Sequence, residues 1–183
     1  MCNPQPQAAG RPPIAIVVAM TRNGVIGQAG RLPWDLPADR RLFRQLTTGN
    51  TVIMGRLTFA SLPGALAERH NLVVSRTSQR LPGATVCPGF RDALAVGWRL
   101  GRPIFVIGGV ELYRQALPIA DTLHVSWVDG DYPGDRHFPP FDQAAWQPVA
   151  TTAYPGFQHV VYRRAGAVRP GELPQSPATS RHP

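Results

Sequence analysis

The sequence predicts an α/β fold: a mostly parallel central sheet with an antiparallel C-terminal edge strand and helices on both faces. Three observations carry this. Runs such as IAIVVAM (14–20) and IFVIG (104–108) are apolar throughout, as parallel strands buried on both faces are. These runs alternate with segments of helical period, the pattern of a sheet covered by helices on each side. The last two strand-like runs have no helix between them, so an antiparallel edge is expected at the C-terminal end.

In chain order, Ile14–Met20 reads as the first strand. Pro37–Thr47 reads as a helix, because proline suits a first turn whose N–H has no intrahelical partner. The β-rich run Thr51–Met54 follows, then a helical pattern at Leu57–Leu62. Asn71–Ser75 and Thr85–Cys87 are strands, Arg91–Gly97 a helix, Ile104–Ile107 a strand and Val110–Leu117 a helix. Thr122–Trp127 and Gln158–Tyr162 are the last two strands. One domain is expected over residues 13–164. Residues 1–12 and 165–183 are rich in Pro, Gly, Ser and Gln without periodicity and are expected to be flexible tails.

With 183 residues, 43% of them apolar and 16% charged, the chain reads as globular. The longest strand-like apolar run is too short to cross a bilayer and the first residues do not form a signal peptide, so a cytoplasmic protein without membrane contact is expected. Cys2 and Cys87 make no CxxC pair, and the five histidines are scattered, so no metal site is expected. The net charge of +8 comes from arginine alone, since the sequence has no lysine. That excludes Schiff-base chemistry and a P-loop lysine. Aromatic residues do not interleave with the arginines as a base-stacking surface would need, so nucleic acid is not the expected partner. The basic residues are either a solvated surface or a set gathered round a small anionic ligand.

The segment LPADRRLFRQL carries a carboxylate on an apolar face. Leu42, Phe43 and Leu46 stand three, four and seven residues after Asp39, so Asp39 heads the buried stripe while Arg40, Arg41 and Arg44 lie largely elsewhere. Burial raises the proton affinity of such a carboxylate unless a partner offsets it. A first-turn aspartate that complements the helix dipole is the other reading, and it needs no function. Trp34 lies in the proline-rich stretch feeding this helix, beside a glycine-containing loop at Asn23–Gly30. It reads as part of a lidded pocket or as a core anchor that pins the loop.

VIGxxGxLPWxLPAD (25–39), FxxLT (43–47), VIMGRxTxxSL (52–62), IGGxxLY (107–113) and Ser126-Trp127 with GDRHFP (134–139) occur in this order. Together they resemble the dihydrofolate reductase family over residues 14–164. The resemblance implies NADPH-dependent hydride transfer to C6 of 7,8-dihydrofolate with protonation at N5, yielding tetrahydrofolate for one-carbon metabolism. It implies a monomer whose partners are small molecules. Asp39 becomes the acid that grips the pterin N3 and 2-amino group, with Ser126 hydrogen-bonded to it where the family usually has threonine, and with Trp34 completing the catalytic set. Phe43 would stack on the pterin and benzoyl rings, Leu62 and Leu66 line the benzoyl channel, and Arg69 clamp the α-carboxylate. Val18, Ala19, Ile107 and Tyr113 would complete the substrate site.

For the cofactor, the resemblance implies Gly55, Arg56, Leu57 and Thr58 at a helix start that holds phosphate. Ser75 and Arg76 would lie at the 2′-phosphate. Gly108 and Gly109, lacking Cβ, would let the backbone approach the dinucleotide, followed by Val110, Glu111 and Leu112. Backbone groups of Ala19 and Ile107 would meet the nicotinamide and the pterin rim, Ile26 and Gly27 would belong to a mobile loop, and Leu32 would close over the cofactor. Three positions depart from the family's pattern. Arg40 stands where an apolar or neutral residue is usual, Glu111 where a basic or small one suits pyrophosphate, and Leu57 where a third basic group often helps. Competing readings are a reductase of a flavin-precursor pyrimidine on the same fold and a basic nucleic-acid-binding module. The first would not be expected to keep LPWxLPAD, and the second predicts steep salt dependence without NADPH turnover.

Overall fold

The computed structural model describes residues 11–77 and 80–165. The tails expected at 1–12 and 165–183 thus fall almost wholly outside the described residues. In chain order the elements are β1 (Ile14–Thr21), β2 (Val25–Gly27), α1 (Pro37–Thr47), β3 (Thr51–Gly55), α2 (Arg56–Ala60), β4 (His70–Val74) and β5 (Thr85–Cys87). These are followed by α3 (Phe90–Leu100), β6 (Ile104–Val106), α4 (Val110–Ala116), β7 (Thr122–Val128), β8 (Arg136–His137), β9 (Trp146–Tyr154) and β10 (Phe157–Arg164). Eight strands form one sheet in the order β5-β4-β3-β6-β1-β7-β10-β9. The six from β5 to β7 are parallel, and β10 runs antiparallel to both β7 and β9.

The antiparallel part is larger than the sequence suggests. The run expected as the edge, β10, is interior, and the edge is β9. That strand has no apolar stripe to announce it: Gln147 to Ala153 are all exposed, and Pro148 sits among them. An outer strand with one unpaired side tolerates a proline, and water there imposes no alternation.

The two faces of the sheet bury different helices. Ile14, Ile16, Val18 and Met20 of β1 pack with Phe90, Ala93 and Leu94 of α3 and with Leu112, Tyr113 and Ala116 of α4. Ala15 and Val17 point the other way, towards Leu46 of α1 and Phe59 of α2. Strand alternation thus sends each face of one run to a separate helix layer. α3 buries Phe90, Ala93, Leu94 and Gly97, a stripe of helical period. A Cβ at Gly97 would stand 2.7 Å from Ile104 Cδ1, so the glycine sets how closely α3 lies on β6. Gly97→Val should overpack this contact and cost about 1–3 kcal/mol, read as a lower Tm; an unchanged Tm would show that α3 has room to move.

The glycine-containing stretch expected as a loop holds a short strand. Val25 and Gly27 of β2 pair with His137 and Arg136 of β8. Phe138 N donates to Gly24 O at 2.8 Å, and Asp135 N to Gly27 O at 3.1 Å. Three residues against two are too few for a period to be read from sequence.

Candidate active site

A cleft of about 1830 Å³ opens where β3, β4 and β6 end and α2 and α4 begin, with α1 forming its other wall. Ligands of open α/β sheets gather at the carboxyl ends of parallel strands.

Asp39 lies in the first turn of α1 and faces this cleft. Burial pushes its carboxyl above the usual carboxylate range, and the Ser126 hydrogen bond and the Arg40 guanidinium oppose that push. Arg40 itself is exposed and paired with Asp35. Ser126 is buried on β7, opposite Ala19 of β1 and His159 of β10. The serine is therefore placed by strand register, and the acid by helix period, with the two meeting across the sheet–helix interface. A dipole-complementing role for Asp39 does not account for that inward hydrogen bond.

Phe43, Leu62, Leu66 and Arg69 line the cleft beyond Asp39. Read alone, Arg69 is a loop charge; in the fold it is half-buried and fastened. Its Nε donates to Thr47 Oγ1 at 3.2 Å, and its terminal nitrogens donate to Ala67 O at 2.6 Å and Arg44 O at 3.3 Å. Thr47, wholly buried, donates in turn to Phe43 O at 2.8 Å. Asn71 braces the adjoining wall, accepting from Leu66 N at 3.0 Å and donating to Leu66 O at 2.9 Å. Thr47 and Asn71 escaped the sequence reading. The threonine of FxxLT was the available signal for the first, and the second gives none.

At the cleft's other end lie Gly55, Arg56, Leu57, Thr58 and Arg76, with Gly108, Gly109 and the start of α4 across from them. Neither α2 nor α4 has a side-chain cap, which leaves first-turn N–H groups available to an anion. Gly55 N donates to Gly108 O at 2.8 Å, locking the two turns together. Gly108 has φ +135°, and a Cβ there would lie 3.0 Å from Thr58 Oγ1; both conditions call for glycine. Glu111 turns to its own helix, paired with Arg114 and accepting from Gln115 Nε2 at 3.1 Å. Tyr113 is buried against Phe138 and donates to Val17 O at 3.1 Å, and burial pushes its hydroxyl pKa up. Val18, Ala19, Ile26, Gly27, Leu32, Ile107, Val110 and Leu112 also reach the cleft.

Two expected site residues do not lie on its wall. Trp34 packs in the core with Val25, Val128 and Phe157, edge-on to Tyr132 at 5.4 Å between ring centroids. The ring is buried beneath the loop, with its Nε1–H left without a hydrogen-bond partner among the described residues. Ser75 is buried, its backbone N–H donating to Cys87 O at 3.0 Å; the bend after β4 presents Arg76 instead. Conversely, His124 and His159 line the cleft and were not expected there. No metal-binding cluster occurs among the described residues, and none of the described helices is long and apolar enough to cross a membrane.

A family model described as dihydrofolate reductase matches residues 13–163. The chain belongs to the dihydrofolate reductase family. It is 39% identical over 143 residues to dihydrofolate reductase type 3 of Salmonella typhimurium, covering 78% of this chain and 88% of the relative. It is 39% identical over 139 residues to dihydrofolate reductase of Bacillus subtilis, covering 75% and 82%. Among solved structures, the reductase from Enterococcus faecalis complexed with NADP(H) and RAB-propyl superposes with TM-score 0.76 at 28% identity, covering 84% of this chain and 96% of that one. The enzyme is thus an NADPH-dependent dihydrofolate reductase on an α/β sheet with antiparallel strands at one edge.

Proposed function

We propose that this reductase binds the pterin of 7,8-dihydrofolate at Asp39 and Ser126, its benzoyl group between Phe43, Leu62 and Leu66, and its glutamate at Arg69, with NADPH across the sheet ends. The observation that carries this is the half-buried carboxylate held by Ser126 at the inner end of a cleft that runs to an oriented arginine. Two carboxylate oxygens match two adjacent N–H donors of the pterin, and the charge is offset by a cation-like edge.

The cofactor fits the other end on the structure's own terms. Gly108 leaves a cradle that a Cβ would crowd, with Gly55 and Gly109 beside it, two uncapped helix starts face it, and Arg56 and Arg76 stand next to it. NADPH, when bound, supplies the hydride for C6. Asp39 orients the ring and, by its charge, favours the pterin that has taken a proton at N5. Trp34 holds the loop over the site from behind. Glu111, engaged by Arg114, leaves the pyrophosphate to backbone N–H groups. The site is complete within one chain, which supports a monomer, and the buried, unpaired Cys87 suits the cytoplasm.

Loss of the reduced-cofactor absorbance only when NADPH and dihydrofolate are both present tests this reading. No loss at any pH would remove it. Arg76→Ala should raise KM for NADPH by about 10-fold, the worth of one charged hydrogen bond, and leave KM for NADH unchanged. Equal effects on both would place the 2′-phosphate elsewhere.

A further inference from the structure

His124 and His159 share the cleft wall with Asp39 and Ser126. His124 lies two residues before Ser126 on β7, and His159 of β10 is the direct register partner of Ser126. The two imidazoles therefore bracket the serine on one sheet face. They stack at 5.5 Å between centroids with 13° between planes, and His124 Nδ1 stands 3.3 Å from His159 Nε2. Only one of these facing nitrogens can carry the shared proton, because the other must accept it. Among the neighbours only α1 brings charged groups. β1, β6 and β9 bring Val17, Phe105 and Thr152 against the pair. α1 brings Asp39, already taken by Ser126, and Arg40 at the rim.

We propose that His124 and His159 are positioning residues: a neutral hydrogen-bonded pair beside Ser126 on the β7–β10 face that keeps the serine hydroxyl directed at Asp39. The inference rests on the reading of Asp39 and Ser126 as the pterin site. One added proton can sit on the donor ring's free nitrogen and leave the bond intact; only a further proton, charging both rings, sets two N–H groups face to face and breaks it. Burial already disfavours that proton, lowering His124 to about 4, with His159 beside it, and lowering His159 in the same direction. An unfolded chain protonates these rings near 6.5. The pair's stabilisation is thus full above 6.5 and drains as pH falls towards 4.

Three measurements on the full chain test this. In nitrogen-15 NMR of the wild-type rings, both should remain neutral at pH 6, with a hydrogen-bonded tautomer signature; ordinary titration of both near 6.5 would overturn the proposal. His159→Val should move the pH profile of kcat/KM for dihydrofolate to higher pH by about one unit, as Asp39 loses a well-aimed hydroxyl. His159→Gln, which can still bond His124, should restore the wild-type profile. Ser126→Ala should give the same displacement, and the double variant no more than either single one, because both act on one hydrogen bond. Additive displacements, or none for His159→Val, would sink the proposal. Asp39→Asn separates the two failures: wild-type turnover in that variant at pH 7 overturns the pterin-site reading, whereas reduced turnover there with an unmoved His159→Val profile overturns this proposal alone. If His159→Val does not fold, the wild-type NMR still decides.

Discussion

Asp39→Asn is expected to lower kcat/KM for dihydrofolate at pH 7 by about 10²- to 10⁴-fold, the range of a positioned acid–base group. The amide keeps the shape and an acceptor for Ser126 but presents an N–H where the pterin presents its own. It also carries no charge to favour a protonated N5. The deficit should narrow at low pH, where dihydrofolate is already protonated in solution. Stability should move the opposite way. Burial raises the carboxyl's proton affinity in the fold, so the folded chain keeps a proton at pH values where the unfolded chain has lost it. Wild-type stability therefore rises as pH falls through the folded value. The asparagine variant lacks that dependence and should melt higher at pH 7, with the gap closing on acidification. A variant with normal turnover at pH 7 would contradict the assigned role, and one with reduced Tm at pH 7 would contradict the electrostatic account of the site.

Arg69→Leu is expected to raise KM for dihydrofolate by about 10- to 150-fold, the worth of a hydrogen-bonded contact to a charged group. The kcat should change little, because on the proposed binding mode the guanidinium meets the glutamate and not the pterin. Its orientation is fixed before any ligand arrives, by Thr47 Oγ1 and the carbonyl oxygens of Arg44 and Ala67. Such pre-organisation spares side-chain entropy on binding. A dihydropterin without the glutamate should be reduced equally by the variant and the wild type. If the variant loses the same factor on that truncated substrate, Arg69 acts on the fold of the wall and not on the carboxylate.

Much of the site was legible because its residues lie in runs whose geometry is local. Asp39 could be set on the inner face of α1 from the spacing of Leu42, Phe43 and Leu46 alone. Gly108 and Gly109 were legible as a close approach because they follow a strand and precede a helix. Arg69 was a different case: nothing within AERHN orients its side chain, and its three anchors come partly from α1, which is 22 residues away at Thr47. Trp34 was legible only as a choice between the cleft and a core anchor that pins the loop. Its place in a proline-rich stretch beside Asp39 suggested the cleft, but its ring faces Val25, Val128 and Phe157, which only folding brings together.

By itself the sequence determined the α/β class, the parallel core strands, the helix that carries the acid and the ordered motifs of the reductase family. The first three follow from periods of two and of 3.6 residues and from turn glycines, which operate within about a dozen residues, and the motifs are carried by resemblance to the family. Tertiary structure alone decided that β9 closes the sheet, that Ser75 and Trp34 turn inward, and that His159 stands opposite Ser126. Cross-strand register and edge position are set by pairing between segments far apart in the chain, and no single segment contains the information that specifies them.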